Sequence, residues 1–201
     1  PGDESGGGRA EGAPVRRTIK LNRREYQNLS FLGIGGIGRS AWARYFLHEG
    51  KRVAGYDRTP SHLTDELAAE GAEIHFEDAV RRLPAEFLDP AATMVVYTPA
   101  VPQDHGEYQY FVSQGFCVEK RSQMLGHLAE GKYVMAVAGT HGKTTTSTLV
   151  AWLNRGVTGG GSAFLGGISK NFGGNLVLGA GARLAVEADE FDRSFLRLYP
   201  D

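Results

Sequence analysis

The chain has 201 residues, enough for one large domain or for one domain and part of a second. It is 41% hydrophobic and 22% charged, with a formal net charge of −1, which is an ordinary composition for a globular protein. This charge gives no reason to expect nucleic acid or an anionic membrane as a partner, and no apolar run approaches the roughly 20 residues that span a bilayer. The single cysteine, Cys117, excludes an internal disulfide and fits a cytoplasmic location.

Strands and helices alternate along most of the chain, after a polar, glycine-rich leader that we expect to be disordered (residues 1–26). Apolar runs predict strands at 28–32, 51–57, 72–76, 93–98 and 115–119, with helices after the glycines at 33–38 and at 62–70, 105–114 and 121–130. This alternation predicts an α/β fold, with a Rossmann-like, doubly wound parallel sheet domain over residues 27–131.

A second unit begins near residue 132. A strand at 133–138, a glycine-flanked turn, a helix at 144–154 and a strand at 184–187 predict the start of a P-loop α/β domain over residues 132–201. The glycines clustered at 156–181 follow no clear apolar run, and we interpret that stretch as a mobile loop region.

The strongest chemical signal is the turn at residues 139–145, with the sequence GTHGKTT, between an apolar strand and a helix. Such a turn directs backbone N–H groups and the positive end of a helix toward a bound phosphate. Lys143 can reach the terminal phosphates of ATP, and the Thr144 hydroxyl can bind Mg²⁺. The strict P-loop pattern would require glycine at Val137, so the match is to a shorter form. The predicted ATP-binding residues are Gly139, Thr140, Gly142, Lys143, Thr144 and Thr145.

A cluster of acids follows the strand at 184–187, and its first member, Glu187, stands at the strand's end. A carboxylate in this position beside a phosphate loop commonly holds or orients Mg²⁺. Glu187 is therefore the predicted metal-binding partner of Thr144. Asp189 and Glu190 are weaker candidates, and Asp192 is better explained as part of a solvated acidic turn.

A second glycine loop, GIGGIG at residues 33–38, lies between the first strand and the first helix. With Asp57 at the end of the next strand it satisfies a dinucleotide-binding fingerprint. A UDP-sugar also carries a pyrophosphate, and residues 58–130 contain no catalytic constellation of a dehydrogenase. Both ligands remain open from this loop alone, and Asp57 is about as well explained as a strand-end cap as by contact with a ribose or uridine.

Five segments together resemble the Mur ligase family: GIGGIGRS, TPAVP, AGTHGKTTT, NFGGN and EADEFDRSF. The resemblance runs from about residue 27 to residue 201. It implies an enzyme of three domains that bind a UDP-sugar, ATP and an amino acid, and it implies ATP-dependent amide formation through an acyl phosphate. The GIGGIG loop favours the members that join L-alanine to UDP-N-acetylmuramate in peptidoglycan precursor synthesis. Arg39 stands where members often have methionine, a departure that leaves the chemistry as expected.

The resemblance also implies roles for individual residues. Lys143 and His141 would be catalytic, with His141 and Asn175 near the muramoyl group, and Thr144 and Glu187 would hold Mg²⁺. The residues expected to contact the UDP-sugar are Gly35, Gly36, Ile37, Gly38, Asp57, His75, Thr98 and Asn175. The family's alanine-binding domain has no counterpart in the sequence, so we expect the chain to bind UDP-sugar without catalysing ligation by itself.

Three alternatives stay open from the sequence. The nearest is a recycling ligase that joins an intact tripeptide to the same sugar nucleotide. The second is an NAD(P)-dependent oxidoreductase with a Rossmann fold, supported only by the first glycine loop. The third is a binding module that holds UDP-sugar without turnover.

Overall fold

A computed structural model describes residues 20–21, 24–157 and 159–187. Within that part of the chain, no helix combines the length and the apolar character needed to cross a membrane. Two short strands, β1 (Lys20–Leu21) and β2 (Arg24–Glu25), pair antiparallel at its beginning. The other residues of the predicted leader, up to residue 23, lie outside the described residues.

The first large sheet has five parallel strands in the order β5-β4-β3-β6-β7. Helices connect its strands, and two 3₁₀ turns, Val80–Arg82 and Ala85–Leu88, precede β6. This arrangement confirms the predicted α/β class, and element bounds differ from the sequence-based ones by one or two residues. The elements are β3 (Asn28–Leu32), α1 (Ile37–His48), β4 (Arg52–Tyr56), α2 (His62–Ala69), β5 (Glu73–His75), β6 (Thr93–Tyr97), α3 (Gly106–Ser113), β7 (Cys117–Lys120) and α4 (Arg121–Ala129).

Both faces of this sheet are buried, which explains why its central strands are continuously apolar. Successive side chains of a strand point to opposite faces. Phe31 and Val96 accordingly belong to one apolar cluster with α1 and α4, whereas Leu32 and Val95 belong to a second cluster with α3. All four side chains are at most 2% exposed. A parallel sheet covered on both faces requires this composition.

The second sheet has four strands in the order β10-β9-β11-β8. Strands β8, β11 and β9 run parallel, and β10 pairs antiparallel with β9. Helix α5 connects β8 to β9 and packs on one face of the sheet, where Ala151 meets Ala163 and Ala185 in a third cluster. The elements are β8 (Tyr133–Val137), α5 (Lys143–Arg155), β9 (Gly161–Ser169), β10 (Gly174–Val177) and β11 (Arg183–Glu187).

The expectation of a mobile loop region at 156–181 is wrong for half of that stretch, because it contains the nine-residue strand β9 and the four-residue strand β10. Its glycines permit close contact between backbones. A Cβ at Gly179 would lie 2.7 Å from the carbonyl carbon and oxygen of Gly161, and Gly181 N donates to Gly159 O at 2.7 Å. The glycines therefore allow close packing of the backbone here. Because glycine has no side chain, they also remove the alternating apolar pattern by which a strand is predicted from sequence.

Helix α1 lies between the two sheets. Trp42 on α1 stacks on Phe164 of β9, with ring centroids 4.4 Å apart. One apolar cluster contains these two side chains together with Phe31 of the first sheet and Val186 of the second. The domain boundary predicted at residues 131 and 132 remains a prediction, and the two sheets share this core across it.

Candidate nucleotide and sugar-nucleotide site

The phosphate loop connects β8 to α5, as its sequence pattern predicts. Gly142 is the N-cap of α5 and has a φ of +75°, a conformation that strongly favours glycine. Lys143 is the first residue of the helix, and its Nζ donates to the backbone oxygen of Gly139 at 2.7 Å. The lysine thus closes the loop onto itself, with its amine at the positive end of the helix. The arrangement can accept a phosphate if the amine exchanges this carbonyl for a phosphate oxygen.

Glu187 ends β11 directly beside the end of β8, where it is in register with Val137. Its Oε1 accepts hydrogen bonds from Ser147 Oγ at 2.7 Å and from Gly166 N at 2.9 Å. Its Oε2 lies 3.4 Å from Thr144 Oγ1. The structure therefore brings together the two residues predicted to hold a metal, and donors from α5 and β9 fix the carboxylate.

Sequence reasoning missed Ser147 and Gly166 as partners of Glu187. Ser147 is fully buried and lies three residues after Thr144, on the same face of α5. That helical spacing could have identified it. No sequence signal pointed to Gly166, because its backbone N–H reaches Glu187 only through the pairing of β9 with β11.

The first glycine loop is held in shape by the strand beside it. Gly33 N and Ile34 N donate to Tyr56 O at 2.7 and 2.9 Å. Gly35 N donates to Asp57 Oδ2 at 2.6 Å. In this structure Asp57 acts as a strand-end cap for the loop, so its carboxylate fixes the backbone that would face a ligand.

Arg39 lies across the same loop, although sequence reasoning gave it no role. Its guanidinium packs on Gly33 and Gly36, and its Nη1 donates to Thr98 Oγ1 at 3.2 Å. Burial lowers the pKa of Arg39, the carboxylate of Asp57 raises it, and the nearby guanidinium of Arg121 lowers it. A partly desolvated positive charge therefore stands at the predicted UDP-sugar contacts.

The glycine loop and the carboxylate beside the phosphate loop line one small cavity of about 40 Å³. Gly38, Trp42 and Arg121 form one side, and Gly166 and Glu187 form the other. A Cβ at Gly38 would lie 2.7 Å from Nη1 of Arg121. Gly38 and Trp42 therefore meet residues that lie more than 120 positions later in the sequence, because α1 packs between the sheets.

Other predicted site residues lie elsewhere. His75 ends β5, and its Nε2 lies 2.6 Å from Oε1 of the fully buried Glu107. Asn175 is fully buried in β10, and its amide donates to Ile37 O and to Ser40 Oγ on α1. Ile37, by contrast, belongs to the glycine loop itself and is 42% exposed.

Three predicted residues of the phosphate loop and its helix, Thr140, His141 and Thr145, are exposed. His141 Nδ1 lies 3.2 Å from Thr140 Oγ1. The weaker metal candidates Asp189 and Glu190 lie outside the described residues, as does Asp192 of the acidic turn.

A parallel sheet with a phosphate-loop turn beside a strand-end carboxylate defines the class of phosphate-loop α/β proteins. Within that class, the family model described as "Mur ligase family, catalytic domain" matches residues 28–133, which is more than half of the chain. The chain belongs to the Mur ligase family.

Individual relatives agree with this assignment. The chain is 55% identical over 175 residues to a UDP-N-acetylmuramate–L-alanine ligase of Phocaeicola vulgatus, covering 87% of the chain. Two solved structures are also similar. A UDP-N-acetylmuramate-alanine ligase of Thermotoga maritima has a TM-score of 0.72 and 28% identity over 86% of the chain. A UDP-N-acetylmuramate:L-alanyl-gamma-D-glutamyl-meso-diaminopimelate ligase of Neisseria meningitides has a TM-score of 0.77 at 23% identity over 87% of the chain, which shows the fold alone.

The chain spans only part of the length of these proteins. It covers 38% of the Phocaeicola relative, 39% of the Thermotoga protein and 58% of the Neisseria protein.

Proposed function

We propose that the protein acts as an ATP- and Mg²⁺-dependent ligase that joins L-alanine to UDP-N-acetylmuramate in cytoplasmic peptidoglycan precursor synthesis. The observation that carries the proposal is the phosphate loop beside Glu187, in a chain that is 55% identical to a protein named for this reaction. Mur ligases as a family are ATP-dependent, and the loop at 139–145 is the part of this chain that suits ATP.

The proposed ATP site uses the backbone N–H groups of the phosphate loop, the first turn of α5 and the amine of Lys143. Phosphoryl transfer needs positioned positive charge more than covalent help from the protein. Lys143 already stands at the positive end of α5, 2.7 Å from Gly139 O. In this role it neutralises charge that develops on the transferred phosphoryl group.

Thr144 and Glu187 fit the requirements of Mg²⁺. Mg²⁺ prefers oxygen ligands and is usually bound by one or two protein groups, with phosphate oxygens and water completing the shell. Glu187 keeps Oε2 on the side of Thr144, while Ser147 and Gly166 occupy Oε1. When bound there, Mg²⁺ would offset negative charge on the phosphates.

The proposed sugar-nucleotide site is the glycine loop with Gly35, Gly36, Ile37 and Gly38, closed by Thr98. A carboxylate is a poor electrophile, so the lactoyl group must be phosphorylated before an amine can displace the added group. The sugar nucleotide must therefore lie beside the ATP phosphates. The cavity that Gly38 and Glu187 both line supports this arrangement, because it lies between the end of the glycine loop and the proposed metal ligand Glu187.

L-Alanine is the proposed amino-acid substrate rather than a peptide. Support comes from the 55% identity to the alanine ligase of Phocaeicola vulgatus, whereas the likeness to the peptide ligase of Neisseria meningitides is one of fold. Because the chain spans 38% of the former, we expect residues 1–201 by themselves to bind the sugar nucleotide without ligating it.

The test is phosphate release by a ligase that carries this chain within the full length of its relatives, assayed with UDP-N-acetylmuramate, MgATP and either L-alanine or the tripeptide. We expect release that depends on all three substrates and prefers L-alanine. Lys143→Met should lower kcat at least 100-fold, because it removes the charge at the transferred group. Lys170→Met, at an exposed position just after β9, is the matched control and should retain full activity.

A preference for the tripeptide would contradict the choice of amino acid. Full activity of Lys143→Met would contradict the proposed ATP site.

A further inference from the structure

Arg39 occupies the place in the first sheet where a ligand is expected. After β3 the chain builds β4 and β5 on one side of that strand, and β6 and β7 then lie on its other side. Ligands of open α/β sheets bind in the crevice at this reversal, outside the carboxyl ends of the strands. The Arg39 guanidinium spans this crevice, because the guanidinium packs on Gly33 and Gly36 after β3 and donates to Thr98 just after β6.

The charges around this guanidinium favour an anion. Arg39 Nε is buried and has no hydrogen-bond partner. Two charged groups act on Arg39: the carboxylate of Asp57 attracts it, and the guanidinium of Arg121 repels it. Asp57 is already engaged, because it accepts a hydrogen bond from Gly35 N. Helix α1 carries no acidic residue in its first turn, so its positive end adds to the same field. A second negative group would relieve this excess of positive charge.

We infer that Arg39 binds the diphosphate of the ligand in the glycine loop and sets the affinity of the protein for it. The backbone N–H groups at the start of α1 contact the diphosphate from one direction, and Arg39 closes over it from the strand β6 side. A guanidinium suits this role because it offers up to five N–H donors in a plane and stays charged. The identity of the ligand as a UDP-sugar rests on the proposed function, whereas the role of Arg39 requires only a diphosphate.

The experiment compares Arg39→Met, Arg39→Lys and the unchanged protein by isothermal titration with UDP-N-acetylmuramate, UDP, NADH and MgATP. Arg39→Met should lower the affinity for UDP-N-acetylmuramate and for UDP tenfold or more, because charge-assisted hydrogen bonds to phosphate are lost. It should also reduce the dependence of that binding on salt. Arg39→Lys should recover part of the affinity, and MgATP should bind all variants equally.

Arg52→Met is the matched control, because Arg52 is exposed at the opposite end of β4 and pairs with Glu86. It should leave all affinities unchanged. Circular dichroism checks that the variants fold, and if Arg39→Met fails to fold, the uncharged but polar Arg39→Gln replaces it in the same titrations.

Equal or tighter binding of UDP-N-acetylmuramate by Arg39→Met would overturn the role of Arg39 while leaving the proposed function standing. If the unchanged protein binds NADH and not the sugar nucleotide, the proposed function fails. The role of Arg39 is then decided by whether Arg39→Met lowers the affinity for NADH.

Discussion

Ser147 illustrates how a single buried residue can support the chemistry of its neighbour. Its hydroxyl donates to Glu187 Oε1 at 2.7 Å, so it fixes the carboxylate with Oε2 directed toward Thr144. It is a positioning residue, because it acts through Glu187. A carboxylate that loses one donor becomes free to rotate, and it then holds a metal ion less well.

Ser147→Ala should therefore raise the Mg²⁺ concentration needed for half-maximal activity by about three- to tenfold, while the kcat at saturating Mg²⁺ changes less. The measurement is ligase activity against Mg²⁺ concentration, in a protein that carries this chain within the full length of its relatives. Thr148→Ala is the matched control, because Thr148 Oγ1 donates only to the backbone oxygen of Thr144. Identical Mg²⁺ curves for the two variants would contradict a role for Ser147 in orienting Glu187.

Helix α2 shows how far local sequence signals determine an element. Ser61 precedes the helix, its side chain accepts from Thr64 N at 3.3 Å, and Thr64 Oγ1 accepts from Ser61 N at 2.8 Å. This reciprocal capping uses only residues within one turn, so the start of the helix was predictable. By contrast, no local pattern predicts β9 and β10, and the glycines around them make close backbone contacts, Gly161 with Gly179 and Gly159 with Gly181.

Ser61→Ala should lower the free energy of unfolding by about 1 kcal/mol, because it removes the N-cap of α2. Urea unfolding followed by circular dichroism measures this change. Ser113→Ala, near the end of α3, removes an exposed hydroxyl that donates to Tyr110 O. It should lower the free energy of unfolding by less than half as much as Ser61→Ala does. Equal losses in the two variants would show that the cap contributes nothing specific.

At the scale of the whole molecule, α1 joins the two sheets into one core. Trp42 stacks on Phe164, and the buried amide of Asn175 in β10 donates to Ile37 O and Ser40 Oγ on the same helix. The glycine loop lies at the start of α1, so its position relative to Glu187 depends on this packing. The geometry of the shared cavity is thus a property of the interface between the sheets.

Trp42→Ala should lower the free energy of unfolding by about 3–5 kcal/mol, since a large buried side chain leaves a cavity. The remaining tryptophan, Trp152, lies on α5 behind the second sheet and is 52% exposed. In the Trp42→Ala variant, the Trp152 fluorescence transition in urea should shift together with the circular dichroism signal. Trp152→Ala is the control and should cost less than 1 kcal/mol. A Trp152 transition that stays in place would show that the sheets unfold independently.

The sequence by itself determined the α/β class, most strands and helices, the phosphate loop and the pairing of Thr144 with Glu187. The elements and the phosphate loop depend on periodicity and turn chemistry, which operate over short distances in the chain. Glu187 is identified by its place at the end of an apolar strand that follows a phosphate loop. The tertiary structure alone decided three things: the strands β9 and β10, the position of Arg39 over the glycine loop, and the meeting of Gly38 with Glu187. The two strands and the meeting of Gly38 with Glu187 depend on packing between segments far apart in the chain. Arg39 packs on nearby glycines, but its partner Thr98 lies on a different strand end. The residue types do not encode such contacts locally.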